Sequence, residues 1–191
     1  MKRLSVFLFL LGTTAAWAQQ KQAVGVRLGN PLAVNYKKYF DNDRAIEFGV
    51  GVAPPGWGGS YYKKSFDHYF DNVDYLSHDL KSALYLQARY LFHYDLQVDG
   101  IDEGKASWYW GLGAMVKFAS VRYTYDERTV PSQILSKTKT DIDFGPEGIG
   151  GVEYTFEDIP LMVYGEVSVM MELADRFTPR PFGAVGARLI F

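Results

Sequence analysis

The sequence predicts an all-β protein, an eight-stranded antiparallel up-and-down transmembrane β-barrel, and three observations carry the prediction. Apolar and polar residues alternate with period two over eight segments, at 22–30, 31–40, 44–53, 81–94, 107–121, 141–156, 161–172 and 182–191. Shorter connections at 41–43, 95–106 and 157–160 alternate with mostly longer ones at 54–80, 122–140 and 173–181, the tight turn around Asn30-Pro31 being the exception. The last segment, FGAVGARLIF, ends on the aromatic Phe191. Such a terminal strand has both edges paired only if the sheet closes on itself, last strand against first.

The chain begins with Lys2 and Arg3, continues through an apolar run at 6–11 and reaches the small-x-small site Ala16-Trp17-Ala18. Residues 1–18 therefore read as a secretory signal peptide cut before Gln19, with residues 19–191 as one barrel domain. No apolar run approaches the roughly 18 residues of a membrane-spanning helix. The mature segment has 191 − 18 = 173 residues and a charge of (20 − 2) − 22 = −4, because Lys2 and Arg3 leave with the signal. That acidic balance argues against nucleic acid as a partner. Cysteine is absent, which excludes disulfides, thiolate metal sites and a lipid-bearing N-terminal cysteine.

Each segment splits into two faces. One carries Val24, Val26 and Leu28; Leu32, Val34 and Tyr36; Ile46, Phe48 and Val50; Leu84, Leu86 and Tyr90; Leu112, Val116 and Phe118; and so on to Val167, Val169 and Leu189. The other carries Arg27, Lys37, Glu47, Arg89, Lys117, Asp143, Glu147, Glu153, Glu166 and Arg188, with small residues between them. Alternation alone does not say which face is inside. The aromatics decide it: Phe40, Phe92, Tyr94, Trp108, Trp110, Tyr154, Phe156 and Phe191 recur on the apolar face at one end of the strands. A rim of rings at one height is what a lipid interface selects, so the apolar face points outward and the charged face lines the lumen. In that frame both termini and the shorter turns are periplasmic and the longer loops face outside the cell.

The segments Trp108-Tyr109-Trp110-Gly111-Leu112-Gly113-Ala114 and Gly148-Ile149-Gly150-Gly151-Val152-Glu153-Tyr154 carry a family likeness. So do the turn Glu157-Asp158-Ile159-Pro160-Leu161 and the closing Gly186-Ala187-Arg188-Leu189-Ile190-Phe191. In their order these stretches resemble the small outer-membrane barrels of the OmpA/OmpX-like class, most of all the versions found in Bacteroidetes. The resemblance implies an outer-membrane location, contact with outer-membrane lipid, and Phe191 as an assembly signal read by the barrel-assembly machinery. Activities in that class range from tethering and adhesion to lipid enzymology, so it implies no single activity.

Two constellations are candidates for function. The ten charges on the lumen face named above must be paired, since an eight-stranded barrel is only wide enough to be filled by its own side chains. A salt-bridge network that plugs the lumen is expected, with an ion path, a small pore or a ligand-binding barrel as the alternative. The second constellation is the loop 54–80, with Trp57, Tyr61, Tyr62, Phe66, Tyr69, Phe70 and Tyr75. Spacings of three and four through Phe66, Tyr69, Phe70, Val73 and Leu76 suggest an amphipathic helix on the bilayer surface for part of it, the alternative being a strand that extends above the membrane. This loop is expected to be an interaction surface for an extracellular or outer-membrane protein partner, the other reading being an aromatic cap over the barrel mouth. Its acids and histidines match neither a calcium loop nor a histidine zinc motif, so no metal site is assigned. A lipid-modifying enzyme would need a nucleophile beside a base. His78 and Ser82 fall on the same outward-phased face in this reading, but about 13 Å apart, too far for a hydrogen bond. No catalytic residue and no cofactor is assigned.

Overall fold

The computed structural model describes residues 21–41, 43–53, 59–97, 103–128, 133–174 and 177–191, the side chains of 59–61 and 68 aside. The signal segment 1–18 and Trp57 lie outside these residues, as does the side chain of Tyr61. Eight strands follow in order: β1 (Gln22–Gly29), β2 (Leu32–Tyr39), β3 (Arg44–Val52), β4 (Val73–Asp95), β5 (Lys105–Glu127), β6 (Gln133–Thr155), β7 (Leu161–Glu172) and β8 (Thr178–Ile190). One helix, α1 (Gly59–Tyr69), lies between β3 and β4.

Each strand pairs antiparallel with its neighbour in sequence, and β8 pairs with β1 to close the barrel. The seam runs from Ala23 opposite Ile190 to Gly29 opposite Ala184. Its last rung is terminal: Phe191 N donates to Gln22 O at 2.8 Å, and Gln22 N donates to Phe191 O at 3.1 Å. Both described termini thus lie at one end, with the β2–β3, β4–β5 and β6–β7 turns.

The side chains sort by parity. Val26, Leu28, Val34, Val50, Leu112, Ile142, Val152, Val167 and Leu189 are exposed on the outer surface, whereas the ten predicted lumen charges are all buried. Long inward side chains fit because glycine stands beside them. A Cβ on Gly25 would meet Arg188 Cγ at 2.6 Å, and one on Gly113 would meet Arg89 Cγ at 2.9 Å.

The strands differ from the sequence-based limits on one side of the barrel. β4, β5 and β6 each run 23 residues, against eight for β1 and β2. The β3–β4 ladder ends at Val52 opposite Leu84, and β7 reaches no higher along β6 than the bond from Leu173 N to Phe144 O. Residues 73–83, 120–127 and 133–143 therefore form a three-stranded wing beyond the rim. Their parts at 73–80, 122–127 and 133–140 read as loops because hydroxyls and charges occupy most of their outer face, which erases the apolar alternation.

β4 also changes phase. Register shifts between Tyr75 and Ser77 and between Leu80 and Ser82 each insert one extra residue, Leu76 and Lys81, so the first bulge above the rim turns Leu80 and His78 to the inner face and the second keeps Tyr75 and Val73 there. His78 and Ser82 consequently lie on opposite faces of β4, which corrects the shared face expected from unbroken alternation. The proposed helical spacing through Val73 and Leu76 is corrected too: α1 ends at Tyr69, Asn72 turns the chain with φ 56°, and both residues belong to β4.

Candidate functional site: a charged lumen under an aromatic cap

The lumen charges form a ladder with Arg89 at its centre. In the layer nearest the termini, Lys37 Nζ donates to Glu153 Oε2 at 2.6 Å and Tyr39 OH donates to Glu153 Oε1 at 2.8 Å. Arg188 Nη2 donates to Glu47 Oε2 at 2.5 Å, and the guanidinium lies 3.5 Å over the Tyr164 ring. Glu47 ties this layer to the next, because its Oε1 accepts from Arg89 Nη1 at 3.0 Å.

Arg89 binds three carboxylates from three strands. Its Nε and Nη2 grip Glu147 of β6 at 2.9 and 2.7 Å, while Nη1 is shared between Glu47 of β3 and Glu166 of β7, each at 3.0 Å. Glu166 in turn lies 3.0 Å from Arg27 Nε and accepts from Tyr109 OH at 3.0 Å. One of these contacts, Arg89 with Glu47, follows from register alone, since Glu47 stands opposite Arg89 on β4. The others cross the lumen.

A third layer lies toward the wing. Lys117 and Asp143 are directly opposed in register and ion-paired, and Arg180 pairs with Glu172 and approaches Asp143 at 3.9 Å. Asp141, Glu172 and Arg180 are buried and were not among the predicted lumen charges. Parity extended beyond residue 182 would have found Arg180, but the stretch 173–181 reads as a connection, and Pro179 and Pro181 flank the residue. Gly183 O faces β1, as the bond from Asn30 N shows, so the two prolines turn their missing N–H groups toward the β1 side, above the point where β1 ends.

Above this layer α1 covers the mouth. Tyr62 and Phe66 are buried, in one cluster with Tyr85, Met115, Tyr123, Tyr125, Met170 and Phe182, while Tyr69, Phe70 and Tyr75 pack partly buried against it. Phe66 stacks on Phe70 at 4.8 Å and meets Tyr75 at 5.2 Å and Tyr123 at 5.6 Å. Lys117 Nζ lies 5.3 Å from the centre of the Tyr62 ring, which links cap and ladder. The described aromatics of the predicted interaction loop therefore turn inward, onto the wing and the upper barrel.

His78 joins the same cluster. Its Nδ1 shares a hydrogen bond of 2.6 Å with the Tyr75 hydroxyl, and burial holds its pKa below the ordinary value against the opposing pull of Asp79. Ser82 is exposed on the far side of the strand, so the two make no nucleophile and base pair. His93, at the other end of the barrel, lies between Tyr39 and Tyr109 at 5.2 and 5.3 Å, with its Nε2 3.5 Å from Glu153 Oε1.

The outer surface has two sharp borders. Across β4, β5 and β6 the row Leu84, Phe118 and Ile142 is apolar and exposed, and the next row toward the wing is Ser82, Ser120 and Thr140. Toward the termini the apolar surface ends in stacked rings, Tyr94 on Trp108 at 4.6 Å and Phe92 on Trp110 at 4.8 Å.

No protein-family model and no curated protein matches the chain. Among solved structures, the N-terminal β-barrel domain of Pseudomonas aeruginosa OprF aligns at TM-score 0.49 and 8% identity, covering 90% of this chain and 96% of that one. A major outer membrane protein from Thermus thermophilus aligns at 0.46 and 11%, covering 91% and 100%. Ail, the attachment invasion locus protein of Yersinia pestis, aligns at 0.40 and 14%, covering 90% and 95%. The closed-barrel fold itself rests on the strand register of this chain.

Proposed function

We propose that this chain is an integral β-barrel of the bacterial outer membrane, with its termini on the periplasmic side, a lumen closed by its own ion pairs, and a wing that stands outside the cell. One observation carries the reading: the apolar side chains of a closed barrel are the exposed ones and the charges are the buried ones. In water that arrangement would leave a wide apolar surface unpartnered, whereas in a bilayer it is the stable one.

The height of the belt agrees. Ten residue steps separate Leu84 from Tyr94 on β4, about 33 Å of strand at ~3.3 Å each, and a tilt of about 40° reduces this to about 25 Å, the apolar height of outer-membrane barrels. With the described aromatics of the cap packed inward, the wing is the surface left for cell-surface contact, and Phe191 serves as the assembly signal.

The test is fractionation and protease access. The protein should sediment with outer membranes, migrate as a heat-modifiable band, and be cut by trypsin at the exposed Arg128 from outside intact cells. Recovery as a soluble monomer without detergent would overturn the proposal, and cleavage there only after the outer membrane is opened would overturn its orientation.

A further inference from the structure

One wall of the barrel differs from the rest at the end that carries the termini. On β4 and β5 the outward rows close on rings such as Tyr94, Trp108 and Trp110, and the turns beyond β4 and β6 carry the exposed acids Asp95, Glu103, Glu157 and Asp158. Across β2 and β3 the outward rows end in cations instead. Among the described residues, Lys38 and Arg44 are the two basic side chains on the outward rows of the barrel below the wing.

The two stand close together. Lys38 lies opposite Ile46, and Phe40 N donates to Arg44 O at 3.0 Å, so Lys38 and Arg44 are diagonal neighbours across the β2 and β3 pair, about 7 Å apart at Cβ. On its other side Lys38 lies opposite Gln22. The backbone groups of Gln22 bond to Phe191, so Gln22 and Lys38 share no ladder bond, and in such pairs the side chains stand closest. Tyr36 OH donates to Gln22 Oε1 at 2.8 Å. That engages the amide oxygen and leaves Nε2, which only donates, beside Lys38. Asp43 comes no nearer to Arg44 Nε than 3.8 Å, with both side chains more than half exposed, a contact of little strength.

From this arrangement we infer that the outward face of β1, β2 and β3 at the terminal end binds the phosphate of an anionic glycerophospholipid in the periplasmic leaflet. Lys38 and Arg44 supply the charge and the Gln22 amide a directed hydrogen bond. The acyl chains lie along the exposed Val24, Val26 and Phe48. A zwitterionic headgroup fits less well, because its own cation is repelled by the same two side chains. The acids on the β4–β5 and β6–β7 turns repel an anionic headgroup, which makes the site one-sided. The inference rests on the membrane reading and adds to it a lipid class and a place.

The chain contains no cysteine, so Val24→Cys can carry a fluorophore beside the site and Leu112→Cys one on β5, away from it. Each labelled mature chain is refolded into phosphatidylcholine vesicles that hold, as a minor component, either brominated phosphatidylglycerol or brominated phosphatidylcholine as quencher. Phosphatidylglycerol should quench label 24 about threefold more strongly than phosphatidylcholine does, and the two lipids should quench label 112 alike. Lys38→Gln and Arg44→Gln should each lower the preference and together abolish it, while Lys105→Gln, at an exposed cation of β5, should leave it unchanged. Gln22→Leu should lower it too, which a diffuse attraction between charges would not do. Equal quenching at label 24, the same preference at both labels, or a preference indifferent to the Lys38, Arg44 and Gln22 variants would overturn the inference. A chain that enters no vesicle and gives no heat-modifiable band would overturn the membrane reading itself, so the two failures are told apart.

Discussion

Arg89 on β4 and Glu166 on β7 meet across the lumen at 3.0 Å, and the same carboxylate oxygen lies 3.0 Å from Nε of Arg27 on β1. One glutamate thus bridges two buried guanidinium groups from strands that are not adjacent. Such a group does not add stability so much as make its own removal expensive, because the partners left behind stay buried and charged.

Glu166→Leu is accordingly expected to destabilise the barrel by about 3–5 kcal/mol, read as a lower denaturation midpoint in detergent. Asp95→Asn, which breaks the exposed pair of Asp95 with Lys105 at 2.7 Å, should cost about 1 kcal/mol or less. Equal effects from the two would show that the interior is hydrated.

With the lumen crossed by Arg89 and its three carboxylates and covered by α1, purified protein in a planar bilayer should give no steady open channel. Sustained ohmic conductance in the unmodified protein would refute a closed interior.

Deleting Phe191 removes the last rung of the β1–β8 seam as well as an exposed aromatic at the end of the barrel. Insertion into the outer membrane should fall while export across the inner membrane continues, and the protein should accumulate in the periplasm. Unchanged membrane yield would remove the role given to this residue.

Phe66→Ala leaves a cavity where the ring met Phe70, Tyr75 and Tyr123, a local loss of about 3–5 kcal/mol. The expected result is protease cleavage within α1 while the heat-modifiable barrel persists, since α1 belongs to none of the barrel ladders. Loss of the heat-modifiable band would show that cap and barrel fold as one unit.

Acid should loosen the same cap. Burial lowers the folded-state pKa of His78, so its packed form favours the neutral ring. Its contribution is full above the unfolded value of about 6.5 and is lost as pH falls below that toward the folded value. Amide exchange in 59–69, corrected for its intrinsic rate, should therefore quicken between about pH 7 and about pH 5. His78→Phe should abolish the change, and persistence of the pH effect in that variant would assign it to another group.

What the sequence by itself determined is what a strand decides locally. Alternation put Arg27, Glu47, Arg89 and Glu166 on one face and Val26, Val50, Leu112 and Val167 on the other, and the aromatics at one end chose which face was outside. The period of two is a property of one chain and survives without knowledge of its neighbours. Partnership is not such a property. That Glu166 serves Arg27 and Arg89, that Arg180 lies on a strand between two prolines, and that Tyr62 and Phe66 turn into the mouth depend on how eight strands close into one ring. The bulges at Leu76 and Lys81 show the limit most directly: each adds a residue that only pairing with β5 can reveal, and past it every side chain of β4 changes face.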